Sequence, residues 1–181
     1  MKKLISIIIP MYNEEESLPY LYDRLTKLSD KIENYNMEFL FVNDGSKDNS
    51  LNIVKAYKKS DERVCYLNLS RNFGKEVAMA AALDYVRGDV VAIIDADLQD
   101  PPELIIDMLK YYEEGYDDVY AKRKSRKGET VLKKFTSHTF YRVLRSVSKV
   151  PIQEDTGDFR LLSRRAVEAL KAFPERQRYT K

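Results

Sequence analysis

The sequence predicts an α/β fold built on a mostly parallel central sheet, and three observations carry that prediction. Short apolar runs alternate with stretches of helical periodicity through the first two thirds of the chain, the order expected of βα units. One run, Val90–Ile94, is apolar at every position, as in a strand buried on both faces. The polar clusters follow the carboxyl ends of these runs, where open parallel sheets bind their ligands.

The elements follow in order. Leu4–Pro10 is β-rich and gives the first strand. Glu14–Leu28 places Leu18, Leu21, Leu25 and Leu28 at helical spacing. Met37–Val42 is the second strand and ends at Asn43-Asp44-Gly45-Ser46, a turn signal. Lys47–Lys59 reads as a helix through Leu51, Ile53, Val54 and Tyr57, and Val64–Leu69 as the third strand. Glu76–Val86 is a helix rich in alanine, with Gly88 as its stop. Asp89–Ile94 is the fourth strand. Asp100-Pro101-Pro102-Glu103 then opens a helix that Gly115 ends. Asp100 is expected to cap it, proline is tolerated in its first turn, and Glu103 suits its positive end. Tyr116–Ala121 is the fifth strand. In Val131–Val150, Leu132, Phe135, Val143 and Val147 fall on one helical face. Lys134, His138, Arg142, Arg145 and Lys149 fall on another. Such a basic amphipathic helix can lie in a membrane interface or pack on the domain.

Composition bounds the function. The chain has 181 residues, 44% hydrophobic and 33% charged, enough for one domain with a core and not the balance of a disordered chain. We read it as a single domain over residues 1–181. Cys65 is the only cysteine, so no intramolecular disulfide forms; it reads as a buried small hydrophobe in a reducing compartment. No run approaches the roughly 20 apolar residues that span a bilayer, and the first is too short for a signal peptide. The chain is therefore expected to be soluble or peripheral. Charge is uneven. Residues 1–121 hold 14 Lys and Arg against 23 Asp and Glu; residues 122–181 hold 17 against 6. The acidic part suits a metal and a sugar, the basic part an anionic surface or phosphates. The acidic part also argues against nucleic acid as a partner.

Five polar motifs carry the chemistry. Asp95-Ala96-Asp97-Leu98-Gln99-Asp100 follows the fourth strand directly. In extended backbone alternate side chains share a face, so Asp95, Asp97 and Gln99 can point together. Two carboxylates there are costly unless a cation or solvent separates them, and oxygen ligands select Mg²⁺ or Mn²⁺. An acidic capping turn is the plain alternative. Pro10-Met11-Tyr12-Asn13-Glu14 could stack Tyr12 on a nucleobase, or be a turn capped by Asn13. In Asn43-Asp44-Gly45-Ser46, Asp44 could accept from a base N–H while Ser46 caps the next helix. Ser70-Arg71-Asn72-Phe73-Gly74-Lys75 offers basic groups and helix N–H donors to phosphate, or is a basic surface loop. Asp155-Thr156-Gly157-Asp158-Phe159-Arg160 holds Asp158, which could serve as a base or orient an acceptor, or pair with Arg160.

Together these motifs resemble the family 2 glycosyltransferases. More narrowly they resemble the polyprenyl-phosphate glycosyltransferases, the group of dolichol-phosphate mannose synthase and the bacterial bactoprenol glucosyltransferases. The matching segments are IIIPMYNEEE (7–16), VNDGSKDNS (42–50), LSRNFGK (69–75), IDADLQDPPE (94–103) and DTGDFRLL (155–162). The last two are specific to the narrower group. The resemblance implies a GT-A fold, Rossmann-like, that holds a nucleotide-diphosphate sugar, with a UDP-sugar ahead of GDP-mannose. It implies nucleotide contacts from Pro10, Tyr12, Glu14, Asp44, Lys75 and Asp95, and metal chelation by Asp95, Asp97 and Gln99. Asp158 matches the proposed base, and Asp97 is the other residue expected to be catalytic. Arg123, Arg160, Arg176 and Arg178 are expected toward the donor or acceptor phosphates. The nucleotide and metal part would be about 1–121, the acceptor and membrane part about 122–181.

The implied activity is inverting, metal-dependent transfer of the sugar to a polyprenyl phosphate at the cytoplasmic membrane face, in building the cell envelope. Asn43 departs from the usual first Asp of its pair, but the base-contacting position is Asp44. Members of the narrower group usually continue into membrane-spanning helices, which would begin where this chain ends at Lys181, so it is expected to be a fragment. Two other functions share the motifs: transfer to a polysaccharide or other hydroxyl acceptor, and a non-catalytic nucleotide-sugar binding module. The sequence leaves a homo-oligomer open.

Overall fold

Long apolar stretches become the central strands. A computed structural model describes residues 2–122 and 156–172. Lys3–Met11 (β1) and Tyr35–Asn43 (β2) are each buried over seven successive residues, so both of their faces are covered. Val64–Asn68 (β3), Val90–Ile93 (β4), Asp118–Lys122 (β5) and Thr156–Ser163 (β6) complete a sheet of order β3-β2-β1-β4-β6-β5. β1 runs parallel to β2 and β4, and β2 parallel to β3. β6 runs antiparallel to β4, with Val90 opposite Ser163 and Ile93 opposite Arg160.

The helices are Leu18–Lys31 (α1), Ser50–Ser60 (α2), Lys75–Tyr85 (α3), Leu104–Glu113 (α4) and Arg164–Ala172 (α5). Ile8, Leu40, Val42, Val91, Ile93 and Leu162 form one core with Met79 and Leu83 of α3 and Val167 of α5. Alternate strand residues face the other way; there Phe41 lies 6.5 Å from the Tyr57 ring of α2. The four leucines of α1 are all buried, as their spacing requires.

Several helix ends differ from expectation for identifiable reasons. α1 begins at Leu18 rather than Glu14: Glu14 O accepts from Ser17 and Leu18 N–H in a turn, and proline occupies the first helical turn. α4 begins at Leu104, so Asp100 is not its cap; Glu103 holds that position without a side-chain cap bond and pairs with Arg24. Gly88 is not the stop of α3, which ends at Tyr85 with Val86 as its C-cap. Its size is set by a close approach instead: a Cβ there would lie 2.6 Å from Ser6 N. Ser6, Glu38 and Arg87 tie the amino ends of β1 and β2 to the entry of β4, with Arg87 N–H donating to Glu38 at 3.1 Å and Gly88 N–H to Ser6 Oγ at 2.8 Å.

The chain divides into two compact units, Met1–Tyr120 with Asp158–Lys181, and Ala121–Gly157. Nearly all described residues belong to the first. Among them no helix is long and apolar enough to cross a membrane. The basic stretch 131–150, with His138, lies outside the described residues.

Candidate active site

The loops that follow β1, β2 and β3 are fastened to one another by backbone donors. Asn13 adopts a left-handed backbone, φ 57°, which asparagine tolerates better than most residues. Its N–H donates to Ser46 Oγ at 3.0 Å, and its Oδ1 accepts from Lys47 N–H at 2.8 Å. Glu14 N–H reaches Ser50 Oγ, Glu15 N–H reaches Asp48 Oδ2, and Asn49 N–H reaches Glu15 Oε2. Ser46 therefore braces the first loop instead of capping α2, which starts at Ser50.

The second loop grips the third in the same way. Asp44 is 3% exposed. Its Oδ1 accepts from Phe73 N–H at 2.7 Å and its Oδ2 from Gly74 N–H at 2.8 Å. Gly45, at φ 71°, lies so close to the third loop that a Cβ would meet Arg71 C at 2.5 Å and Asn72 N at 2.6 Å. Only glycine fits both the backbone angle and the space. Asp44 thus acts first as a strut that shapes the 70–75 segment.

This framework leaves a cleft of about 320 Å³ at the carboxyl ends of β1, β2 and β4. Pro10, Tyr12, Glu14, Asp44, Lys75, Asp95 and Asp97, all singled out from the sequence, line it. Tyr12 is 40% exposed, as a stacking ring requires, and Glu14 Oε2 accepts from Ser17 Oγ at 2.7 Å. Lys75, the first residue of α3, forms an ion pair with Asp95. Met11, Asn72, Gly74 and Ala96 also line the cleft. Asn72 and Gly74 belong to the 70–75 motif, whose sequence suits phosphate; nothing in sequence distinguishes Met11 or Ala96 from core residues.

Asp95 and Asp97 reach the lining of one cleft by a route other than strand alternation. β4 ends at Ile93, so the pair sits on a turn. Leu98 takes φ 60°, a conformation that costs a bulky residue on the order of 1–3 kcal/mol. Gln99 N–H donates to Asp97 Oδ1 at 3.0 Å, and its side chain is not among the groups lining the cleft. Among the described residues no three His, Cys, Asp or Glu side chains converge as a cage. Two carboxylates are oxygen ligands of the kind a hard divalent ion takes, so Asp95 and Asp97 would be the residues to hold one.

Asp158 lies in β6. The β4–β6 pairing ends with Arg160 opposite Ile93, and Asp158 lies two residues before Arg160 in β6. Arg160 Nη1 lies 3.7 Å from Asp118 Oδ2, and Arg160 is not among the residues lining the cleft. Arg123, Arg176 and Arg178 lie outside the described residues.

The profile of Glycosyl transferase family 2 matches residues 6–171. An uncharacterized glycosyltransferase of Synechocystis sp. is 48% identical over 98% of this chain and 55% of its own length. The bactoprenol glucosyl transferase of Shigella phage SfX is 42% identical over 98% of this chain and 58% of its own. The chain thus spans a little over half the length of the curated relatives it matches. Among solved structures, a mannosyltransferase from Pyrobaculum calidifontis in complex with GDP-Man and Mn²⁺ superposes with TM-score 0.65 at 23% identity, over 96% of this chain and 48% of its own. That likeness identifies the fold as GT-A.

Proposed function

The chain belongs to glycosyl transferase family 2, and we propose that it transfers a sugar from a UDP-sugar to a polyprenyl phosphate, inverting the anomeric carbon with the help of Mg²⁺ or Mn²⁺. The observation that carries this reading is the convergence of Tyr12, Asp44, Lys75, Asp95 and Asp97 on one cleft. The 42% identity to a bactoprenol glucosyl transferase supports the lipid acceptor. A UDP-sugar is placed ahead of GDP-mannose on the resemblance of the 94–103 and 155–162 motifs to the polyprenyl-phosphate group, and the likeness to the GDP-Man complex extends only to the fold.

Tyr12 stacks on the base. Pro10 and Glu14 border it, and Asp44 holds the 70–75 segment against it. Lys75 takes the diphosphate, assisted by the backbone N–H groups at the start of α3. Asp95 and Asp97 hold the divalent ion, which when bound neutralises charge building on the leaving nucleotide. The acceptor phosphate approaches from the β6 side. With a second pKa near 6 it is largely dianionic at neutral pH, so Asp158 orients it and takes a residual proton. Arg123, Arg160, Arg176 and Arg178 are assigned to the phosphates of donor and acceptor, and the site works at the cytoplasmic membrane face.

Thermal stabilisation by UDP, GDP and their sugars, with and without Mn²⁺, tests the donor. UDP with Mn²⁺ is expected to raise Tm by several degrees and GDP by less; the reverse order makes GDP-mannose the donor. Transfer of radiolabelled sugar to polyprenyl phosphate, and not to soluble hydroxyl acceptors, tests the acceptor. Transfer to the soluble acceptors alone refutes the lipid assignment, and binding without any product makes the chain a nucleotide-sugar module.

A further inference from the structure

Lys75 Nζ is paired with Asp95 Oδ1 on the wall of the cleft, with the two side chains 36% and 32% exposed. Asp95 is also one of the two carboxylates assigned to the divalent ion, and the role inferred for Lys75 rests on that assignment. An ammonium on Oδ1 occupies a lone pair that the ion would use. An ion on the other oxygen would still face a positive charge a few ångströms away, in a cleft where screening is weaker than in bulk water. Metal binding to Asp95 therefore works against the ion pair. A nucleotide diphosphate changes the balance, because it offers Lys75 an anion of higher charge at the start of α3, where backbone N–H groups also favour negative charge.

We infer that Lys75 is a displaceable counter-ion for Asp95. It holds metal affinity down until a nucleotide diphosphate draws it away, so metal and donor bind as a coupled pair. Linkage makes the effect reciprocal: the factor by which nucleotide raises metal affinity is the factor by which metal raises nucleotide affinity. The arrangement keeps the carboxylates from collecting a divalent ion that has no diphosphate to bridge. Lys75 is in this respect a positioning residue, acting through Asp95 on the metal.

The test is Mn²⁺ binding, followed by the electron paramagnetic resonance signal of the free ion, first without nucleotide and then with UDP or GDP. Lys75→Met is expected to bind Mn²⁺ alone roughly fivefold more tightly than the parent, the scale of a partly exposed ion pair. The enhancement that nucleotide gives the parent should shrink by a similar factor. Lys75→Arg keeps the charge and should bind Mn²⁺ alone as the parent does. Damage to the fold would weaken metal binding, so a tighter Lys75→Met is not a structural artefact. If Lys75→Met binds Mn²⁺ no more tightly than the parent while Asp95→Asn and Asp97→Asn lose it, the counter-ion role is overturned and the metal site stands. If Asp95→Asn and Asp97→Asn keep the parental affinity, the metal assignment falls and the counter-ion role falls with it.

Discussion

Single residues decide whether the cleft keeps its shape, and Gly45 is the sharpest instance. A left-handed backbone costs an L-residue roughly 1–2 kcal/mol, and here a Cβ would also collide with backbone atoms of Arg71 and Asn72. Gly45→Ala is therefore expected to lose at least about 2 kcal/mol of stability, measured by urea unfolding, and to raise the KM for the donor as the 70–75 segment is pushed back. A variant with parental stability and KM would show that the two loops do not need to touch. Asp158 gives a prediction of another kind. Since the proposed acceptor phosphate loses its second proton near pH 6, Asp158→Asn should cost activity modestly at neutral pH and less as pH rises. A large loss at every pH would make Asp158 a true base or an indispensable anchor. Much of the site at this scale was legible in sequence, because Tyr12, Asp44, Lys75, Asp95 and Asp97 are polar groups at the ends of apolar runs. The strut role of Asp44 was not, because its partners are backbone N–H groups twenty-nine and thirty residues away. Leu98 gave no signal either: a leucine in a left-handed turn contradicts its own preference, and only the fold around it enforces that angle.

At the scale of elements, apolar periodicity recovered the strands and helices it could see and missed those that tertiary context makes. The alternation of the first five strands with helices was plain. β6 was not, since Phe159, Leu161 and Leu162 are too short an apolar signal beside glycine and charged residues, and an antiparallel return strand needs no crossover helix to announce it. Polar junctions also fix how elements meet. Asp61 follows α2 and accepts from Tyr22 of α1 at 2.8 Å and from Arg63 N–H at 2.9 Å, while Tyr22 stacks on Tyr57 at 4.1 Å between ring centroids. The Arg63 guanidinium holds the Asp61 carboxyl down to about 2, from a usual value of 3.8. A depressed folded pKa means the stabilisation is complete above pH 4 and disappears as pH falls from about 4 to about 2. Arg63 is about one third exposed, so solvent screening reduces the full linkage value, and Asp61→Asn should cost about 1–2 kcal/mol at pH 7. Unfolding curves of the two proteins should converge as the pH approaches 2. A gap that persists there would mean that packing of Tyr22, and not the charge, is what Asp61 provides.

Over the whole molecule, the unequal distribution of charge bears on where the reaction takes place. The first 121 residues carry an excess of nine acidic groups and the last 60 an excess of eleven basic ones. The nucleotide and metal motifs lie in the acidic part and the predicted acceptor groups in the basic part, so a chain that is nearly neutral overall is strongly dipolar along its sequence. A polyprenyl phosphate presents its charged end at the surface of a bilayer, and an anionic surface attracts basic segments with about 1 kcal/mol per Lys or Arg held near it. Such attraction falls off within a Debye length, near 10 Å at 0.1 M salt and 3 Å at 1 M. The chain is therefore expected to co-sediment with vesicles containing anionic lipid at low salt, to be released as salt rises to 1 M, and to ignore neutral vesicles throughout. Replacing the ten Lys and Arg between Lys122 and Lys149 with glutamine should abolish co-sedimentation. It should leave the thermal shift by nucleotide and Mn²⁺ intact, because the residues lining the cleft all precede residue 98. Binding that resists salt would instead point to burial of apolar side chains in the bilayer, and equal binding to neutral vesicles would remove electrostatics from the proposed account of how this chain meets a lipid acceptor.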